Sequence, residues 1–360
     1  MGLGRGTSRS THYYIKTDVP RSASDAYCKT KLEIITRPNN FNNTTGNCNH
    51  GESALDWYAM PSNSMRRPNS DLTLVALVRY ETVVTVRSEE KGQKILDAHP
   101  MLKHPTVQAV KSNPPFDYVL HTASPFHYNV SDPVKDFLDP AIKGTTGILK
   151  AIKAYAPTVK RVVVTSSFAA IVNVKEHPKV YSEENWNPVT WEEAMDPSQT
   201  YRASKEKPNF DIATINPPLV LGPVVPYLNS LDAVNTSNSR ISNLVRGNNK
   251  DGLLPTGTFL WVDVHDVALA HVRAIEVSEA GGQRFFLVSG PYANKDLADI
   301  IRDAYPQLEE KLPPKDSASD MPANVYGYNN KKSIEVLGIQ YRSLKESVVD
   351  TVKSLLQVGA

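Results

Sequence analysis

Cysteine is almost missing from the sequence: 360 residues hold only Cys28 and Cys48, both in a polar N-terminal stretch. So few exclude a disulfide framework and a cysteine-rich zinc cluster. His, Asp and Glu do not gather at metal-ligand spacing either, so no metal is expected. An excess of one charge is missing as well. The 40 basic and 38 acidic residues leave a net charge of +2, which gives no footprint for nucleic acid or for an anionic membrane surface. No apolar run approaches the roughly 18 residues of a membrane span. The basic residues of the N-terminal MGLGRGTSRSTHYYIK precede no apolar core, so no secretory leader is expected. With 40% hydrophobic residues, the chain can still bury a core. The absences together leave a cytoplasmic globular protein that binds neither nucleic acid nor membrane; a monomer or weak dimer is expected.

Residues 1–70 are rich in Asn, Ser, Thr and Arg, with no sustained period of two or 3.6. A disordered or irregular segment is expected there. The pattern changes from Asp71 onward. LTLVALV (72–78), TVVTV (82–86), FDYVLHTAS (116–124), RVVVTSS (161–167) and FDIATINPP (210–218) read as short apolar strands. Between the third and fourth, Val134, Phe137, Leu138, Ala141, Ile142, Ile148, Leu149 and Ile152 fall near helical spacing. Strands alternating with helices indicate a parallel sheet covered on both faces. In the last third, FLWVDVHDVALAHVRAIEV reads as a strand passing into a helix near Val264, and RFFLVSG as a further strand. Ser343 and Glu346 form a capping box ahead of a C-terminal helix.

Chemistry enters with Tyr201-Arg-Ala-Ser-Lys205. A phenol has an ordinary pKa of about 10, and an ammonium beside it favours the phenolate. Spacing of i, i+4 sets the two on one helix face. The same spacing recurs at Tyr27/Lys31, Tyr328/Lys332 and Tyr341/Lys345, where a solvated pair is the simpler reading. Only the Tyr201 copy follows a buried strand ending in Thr165-Ser166-Ser167 and precedes another buried strand. A hydroxyl at a strand's carboxyl end can hold a carbonyl oxygen where negative charge develops, or it can simply cap the turn. Arg87 and Lys91 follow the TVVTV strand. A cation there accommodates the 2′-phosphate of NADP, although Glu89 and Glu90 also suit a helix-starting turn.

HTASPF, VKDFLDPAIKGTTGILKAI, RVVVTSSFAAIV, YRASK, INPPLVLGP and WVDVHDVALAHV, in this order, resemble the extended short-chain dehydrogenase/reductase family. The nearest branch is that of the dihydroflavonol-reductase and fungal methylglyoxal-reductase-like ketoreductases. The likeness covers roughly residues 79–357. It implies NADPH-dependent reduction of a small aldehyde or ketone by a Ser-Tyr-Lys set, here Ser167, Tyr201 and Lys205. Tyr201 would give the proton, and Lys205 would also hold the nicotinamide ribose. The likeness further implies that Arg87, Lys91, Thr122, Ala123, Ser124, Ser166, Pro217 and Pro218 bind the cofactor and that Phe126 and Phe168 wall an apolar substrate pocket. Asp263 and Asp266 would be structural, His265 a surface residue, and Trp186 and Trp191 packing residues.

Three family segments are missing while their flanks remain. No strand followed by G-x-x-G-x-x-G and a helix precedes Arg87, and LTLVALV is the candidate to fill the vacant first-strand position. The region between Pro100 and Lys111 lacks a third strand. After Lys205, Pro208 disfavours the long helix that the family runs back across the sheet. A transcript missing these pieces and a degraded relative both fit. The fold expected is an incomplete Rossmann-like, doubly wound parallel α/β sheet. Residues 71–225 would form a partial NADP-binding core, and residues 226–360 a substrate lobe mixed with the last sheet elements. Reduction is expected to be impaired. A non-catalytic Rossmann-like binding protein and a sugar-nucleotide epimerase or dehydratase are the alternatives, and the apolar Phe126 and Phe168 speak against the latter.

Overall fold

A computed structural model of the chain describes residues 33–38, 80–85, 93–94, 97, 117–122, 132–190, 193, 212–225, 228 and 230–360. Its main sheet has six strands: β1 (Glu33–Pro38), β2 (Tyr80–Thr85), β3 (Tyr118–His121), β4 (Arg161–Thr165), β6 (Ile212–Asn216) and β9 (Arg284–Phe286), in the order β2-β1-β3-β4-β6-β9. Strands β3, β4, β6 and β9 run parallel to one another. Alternating side chains show why this block lies inside. Val119, Val162, Val164 and Ile212 share a cluster with Ile148 of α1 (Asp139–Tyr155). Leu120, Val163, Ala213 and Ile215 instead meet Val267, Ala270 and Ala274 of α3 (Val264–Glu276). Both faces are therefore apolar and helix-covered, as a parallel sheet requires.

The far side of the sheet departs from this pattern. β1 pairs antiparallel with both neighbours, Glu33 standing opposite Thr85 on one side and His121 on the other. β2 consequently runs in the same direction as β3, with a reversed strand between them. The sequence reading left residues 1–70 without a regular element and offered LTLVALV for this position. The structure corrects the first point by placing Glu33–Pro38 in the slot, while residues 72–78 lie outside the described residues. Ile34 and Ile35 are β-branched residues that suit a strand, but four residues between charged and proline neighbours are too short a signal to stand out. β2 begins at Tyr80, two residues ahead of the TVVTV run. The sheet is thus mixed at one side rather than parallel throughout.

A second, three-stranded sheet comprises β7 (Leu219–Leu221), β8 (Leu260–Asp263) and β10 (Gly290–Pro291), in the order β10-β8-β7. Its core joins Leu221 and Trp261 to Ile241 and Leu244 of α2 (Ser239–Val245), Leu297 and Ile301 of α4 (Asn294–Ala304), and Val348, Val352 and Leu355 of α6 (Leu344–Gln357). Gly222, just after β7, has φ +137, and a side chain there would run into Val264. The C-terminal helix starts where its sequence places it. Ser343 Oγ accepts the Glu346 N–H at 3.3 Å, and Glu346 Oε2 accepts the Ser343 N–H at 3.0 Å. Residues β5 (Val180–Tyr181) and β11 (Gly327–Tyr328) form a small parallel pair, and α5 (Lys331–Leu337) precedes α6.

Candidate active-site edge

The carboxyl ends of β3, β4 and β6 meet along one edge, because His121 pairs with Val164 and Thr165 with Ile215. Thr122, Ser166, Ser167, Pro217 and Pro218 follow directly from these ends, so the fold brings five of the expected residues to one margin. β4 and β6 stay fastened past their last strand residues. The Ser166 N–H donates to the Ile215 carbonyl at 2.8 Å, and the Phe168 N–H to the Pro217 carbonyl at 2.8 Å. Asn216, fully buried, donates from Nδ2 to the Ser167 carbonyl at 3.1 Å. This is the side of an open α/β sheet on which ligands bind.

Ser167 has extended backbone, and its Oγ accepts the Ala169 N–H at 3.1 Å, capping a short 3₁₀ turn at Phe168–Ala170. The capping role and the chemical role are compatible. A cap uses a lone pair on Oγ, whereas holding a carbonyl oxygen uses the hydroxyl proton. The cap therefore orients the oxygen and leaves the proton for a ligand.

Phe168 follows Ser167 into the interior. Its ring is 4% exposed, stacks on Phe286 at 5.2 Å and meets Tyr181 edge-on at 5.1 Å. The ring belongs to the core cluster under the turn.

Arg87, Lys91, Ala123, Ser124, Phe126, Tyr201, Lys205 and Trp191 lie outside the described residues. Of the other Tyr/Lys copies, Tyr328 sits in β11 and Lys332 in α5, the latter with Nζ 3.3 Å from Glu183 Oε1. The Tyr341 hydroxyl lies 2.7 Å from Ser333 Oγ, and burial pushes its pKa well up. Neither pair shares a helix. Trp186 is 43% exposed, with the Arg284 guanidinium 3.5 Å over its ring, a cation–π contact.

His271, beside this edge, escaped the sequence reading. Thr165 Oγ1 lies 2.6 Å from Nε2 of the buried His271, whose Nδ1 lies 2.7 Å from the Val267 carbonyl. Burial lowers the His271 pKa to about 4, so the ring is neutral. A carbonyl can only accept, so Nδ1 carries the proton, and Nε2 accepts from the Thr165 hydroxyl. The available signal was a histidine on the apolar face of α3, which sequence alone reads as ordinary core.

At the start of α3, Asp263 Oδ1 accepts both the N–H and Nδ1 of His265 at 2.7 Å. Burial raises the Asp263 pKa, but the hydrogen bonds and charge of His265 outweigh it and hold the carboxyl below its ordinary value. His265 is accordingly half-buried in a polar network, a correction to its reading as a surface residue. Asp266 accepts the Arg342 N–H at 3.0 Å, tying α3 to the segment before α6. Burial, countered by Arg342 and aided by the charge of Asp263, raises its pKa to about 7.

A model of the NAD dependent epimerase/dehydratase family matches residues 69–288. The ketoreductase azaE of Aspergillus niger is 48% identical over 307 residues, covering 77% of this chain and 91% of that protein. The NADPH-dependent methylglyoxal reductase GRE2 of Saccharomyces cerevisiae is 32% identical, covering 77% and 92%. Among solved structures, Gre2 from Candida albicans in complex with NADPH superposes with a TM-score of 0.68 at 31% identity, covering 76% of this chain and 91% of that one.

Proposed function

The chain belongs to the NAD dependent epimerase/dehydratase family, and from that premise we propose that it carries the carbonyl-reducing site of its ketoreductase relatives on a scaffold with an unfinished phosphate end. The substrate class is a small aldehyde or ketone, and the cofactor is NADPH, which supplies the hydride when bound. Ser167 holds the carbonyl oxygen through its hydroxyl proton. Tyr201 protonates the nascent alkoxide, and Lys205 lowers the phenol's pKa. Thr122, Ser166, Pro217 and Pro218 border the nicotinamide, with Arg87 and Lys91 toward the 2′-phosphate. The observation that supports this reading most is the fastened margin of β4 and β6, which holds Ser167 at the carboxyl edge with its oxygen oriented.

Among the described residues, none forms the turn that the cofactor's pyrophosphate needs. That group needs a strand whose carboxyl end opens into a glycine turn and a helix N-terminus. In the central slot the strand is reversed, so at the ligand edge the chain enters β1 at Glu33 and leaves from Pro38 at the opposite edge. Among the described residues nothing else supplies such a turn. Weak NADPH binding and slow turnover are therefore expected. The test is NADPH oxidation with a panel of small aldehydes and ketones, with the alcohol product measured directly. Slow reduction that rises with NADPH into the millimolar range and vanishes in Ser167→Ala supports the proposal. No alcohol at any NADPH concentration removes it, leaving a non-catalytic binding protein, the second reading, which the reversed strand favours.

A further inference from the structure

We propose that His271 is a positioning residue that acts through Thr165 to set where β4 ends, and so where Ser167 presents its hydroxyl; the inference rests on the reading of Ser167 given above. Apolar packing resists separation but has no direction, so Val162, Val163 and Val164 do not by themselves fix the strand along its axis. The ladders to β3 and β6 fix its register within the sheet, and directional contacts to α3 fix it against the helix. At the start of β4, the Arg161 guanidinium donates to the carbonyls of Ala274 at 3.0 Å, in the last turn of α3, and of Val277 and Ser278 (2.9 Å) just beyond it. At the finish of β4, the Thr165 hydroxyl donates to His271 Nε2 at 2.6 Å.

Strand and helix thus run antiparallel, pinned at both ends. A slip of one strand residue would move β4 by about 3.3 Å and break both pins. The His271 end is the nearer one to the chemistry. Thr165 is followed at once by Ser166, whose N–H is held by Ile215, and then by Ser167, whose carbonyl is held by Asn216 and whose Oγ is held by Ala169. The ring is also fixed in one sense. Its Nδ1 proton is committed to the Val267 carbonyl one turn back, so Nε2 can only accept. A residue that merely filled space would need neither the tautomer nor the hydroxyl.

The test uses the full chain without ligand and compares Thr165→Val, which keeps the shape and loses the hydroxyl, with Thr165→Ser, which keeps the hydroxyl and loses the methyl. Amide hydrogen exchange is read at Ser166, Phe168 and Ala169, with α4 and α6 as internal references. The expected result is exchange about tenfold faster at those three amides in Thr165→Val, the factor that losing one such hydrogen bond carries. Thr165→Ser should stay near the parent rates. The reverse ranking, or equal loosening across α4 and α6, would make the contact one of packing alone and overturn the proposal. Nitrogen-15 spectra of His271 in the unaltered chain add a readout that needs no variant: a protonated Nδ1 with a bare Nε2 is expected, and the opposite tautomer refutes the arrangement. Neither measurement requires turnover. Absent reduction would therefore defeat the reading of Ser167 while these results still reported on its placement.

Discussion

Ser166 and Ser167 are neighbours with different work. Ser167 caps the Phe168–Ala170 turn and is gripped by Asn216, whereas the Ser166 backbone N–H closes the β4–β6 edge. Ser167→Ala should cost about 1 kcal/mol as a lost cap, and should also lower whatever reduction rate is measured by roughly 100-fold or more, as an oxyanion donor does. Ser166→Ala should leave the rate within a small factor, and equal effects of the two would undo the distinction. As a buried ring between Phe286 and Tyr181, Phe168→Ala should destabilise by about 3–5 kcal/mol in chemical denaturation, and a near-neutral result would contradict its place in the core. At this scale the serines were legible because a strand of β-branched residues ended in hydroxyls. Asn216 and His271 were not, because their meaning depends on which carbonyl or hydroxyl the fold brings to them.

Elements built from long apolar patterns could be read directly. α3 begins at Val264, α6 begins after the Ser343 cap, and β4 and β6 cover the RVVVT and IATIN runs. β1 could not, since its six residues carry no alternation strong enough to fix a face, and its partners are at least 42 and 82 residues away in sequence, at the pairs Pro38↔Tyr80 and Thr36↔Tyr118. Direction is set by pairing, which a short strand does not encode. Ile35→Pro should report on the insertion. Proline removes a donor and is tolerated only at sheet edges, whereas Ile35 pairs with Val83 on one side and Val119 on the other. A loss of about 2 kcal/mol is expected from the broken ladder contacts. An unchanged denaturation midpoint would place these residues outside the sheet.

For the whole molecule, two buried groups give stability opposite pH slopes. His271 titrates near 6.5 when unfolded and near 4 when folded. The unfolded chain binds the extra proton between those values, so stability falls as pH drops from about 6.5 to 4, by roughly 3 kcal/mol in all. Asp266 titrates at about 7 in the fold against an ordinary 3.8. The folded chain binds the extra proton, so stability falls as pH rises from about 4 through 7. Between pH 4 and 6.5 the two offset each other and a shallow profile is expected. Asp266→Asn keeps an acceptor for the Arg342 N–H and removes one slope. Its denaturation midpoints should drop more steeply than the parent's on acidification from pH 6.5 to 4, where the parent's two slopes offset each other. Parallel profiles for the two proteins would contradict these environments.

Whether the reversed strand has cost this scaffold its cofactor grip is best tested by titrating the purified chain with NADPH and following nucleotide fluorescence. The expected curve shows no saturation in the micromolar range, because the edge that should cradle the pyrophosphate is occupied by the entry of β1. Saturable binding at micromolar or lower NADPH would contradict it, and would mean that the phosphates are held by some other arrangement of this chain.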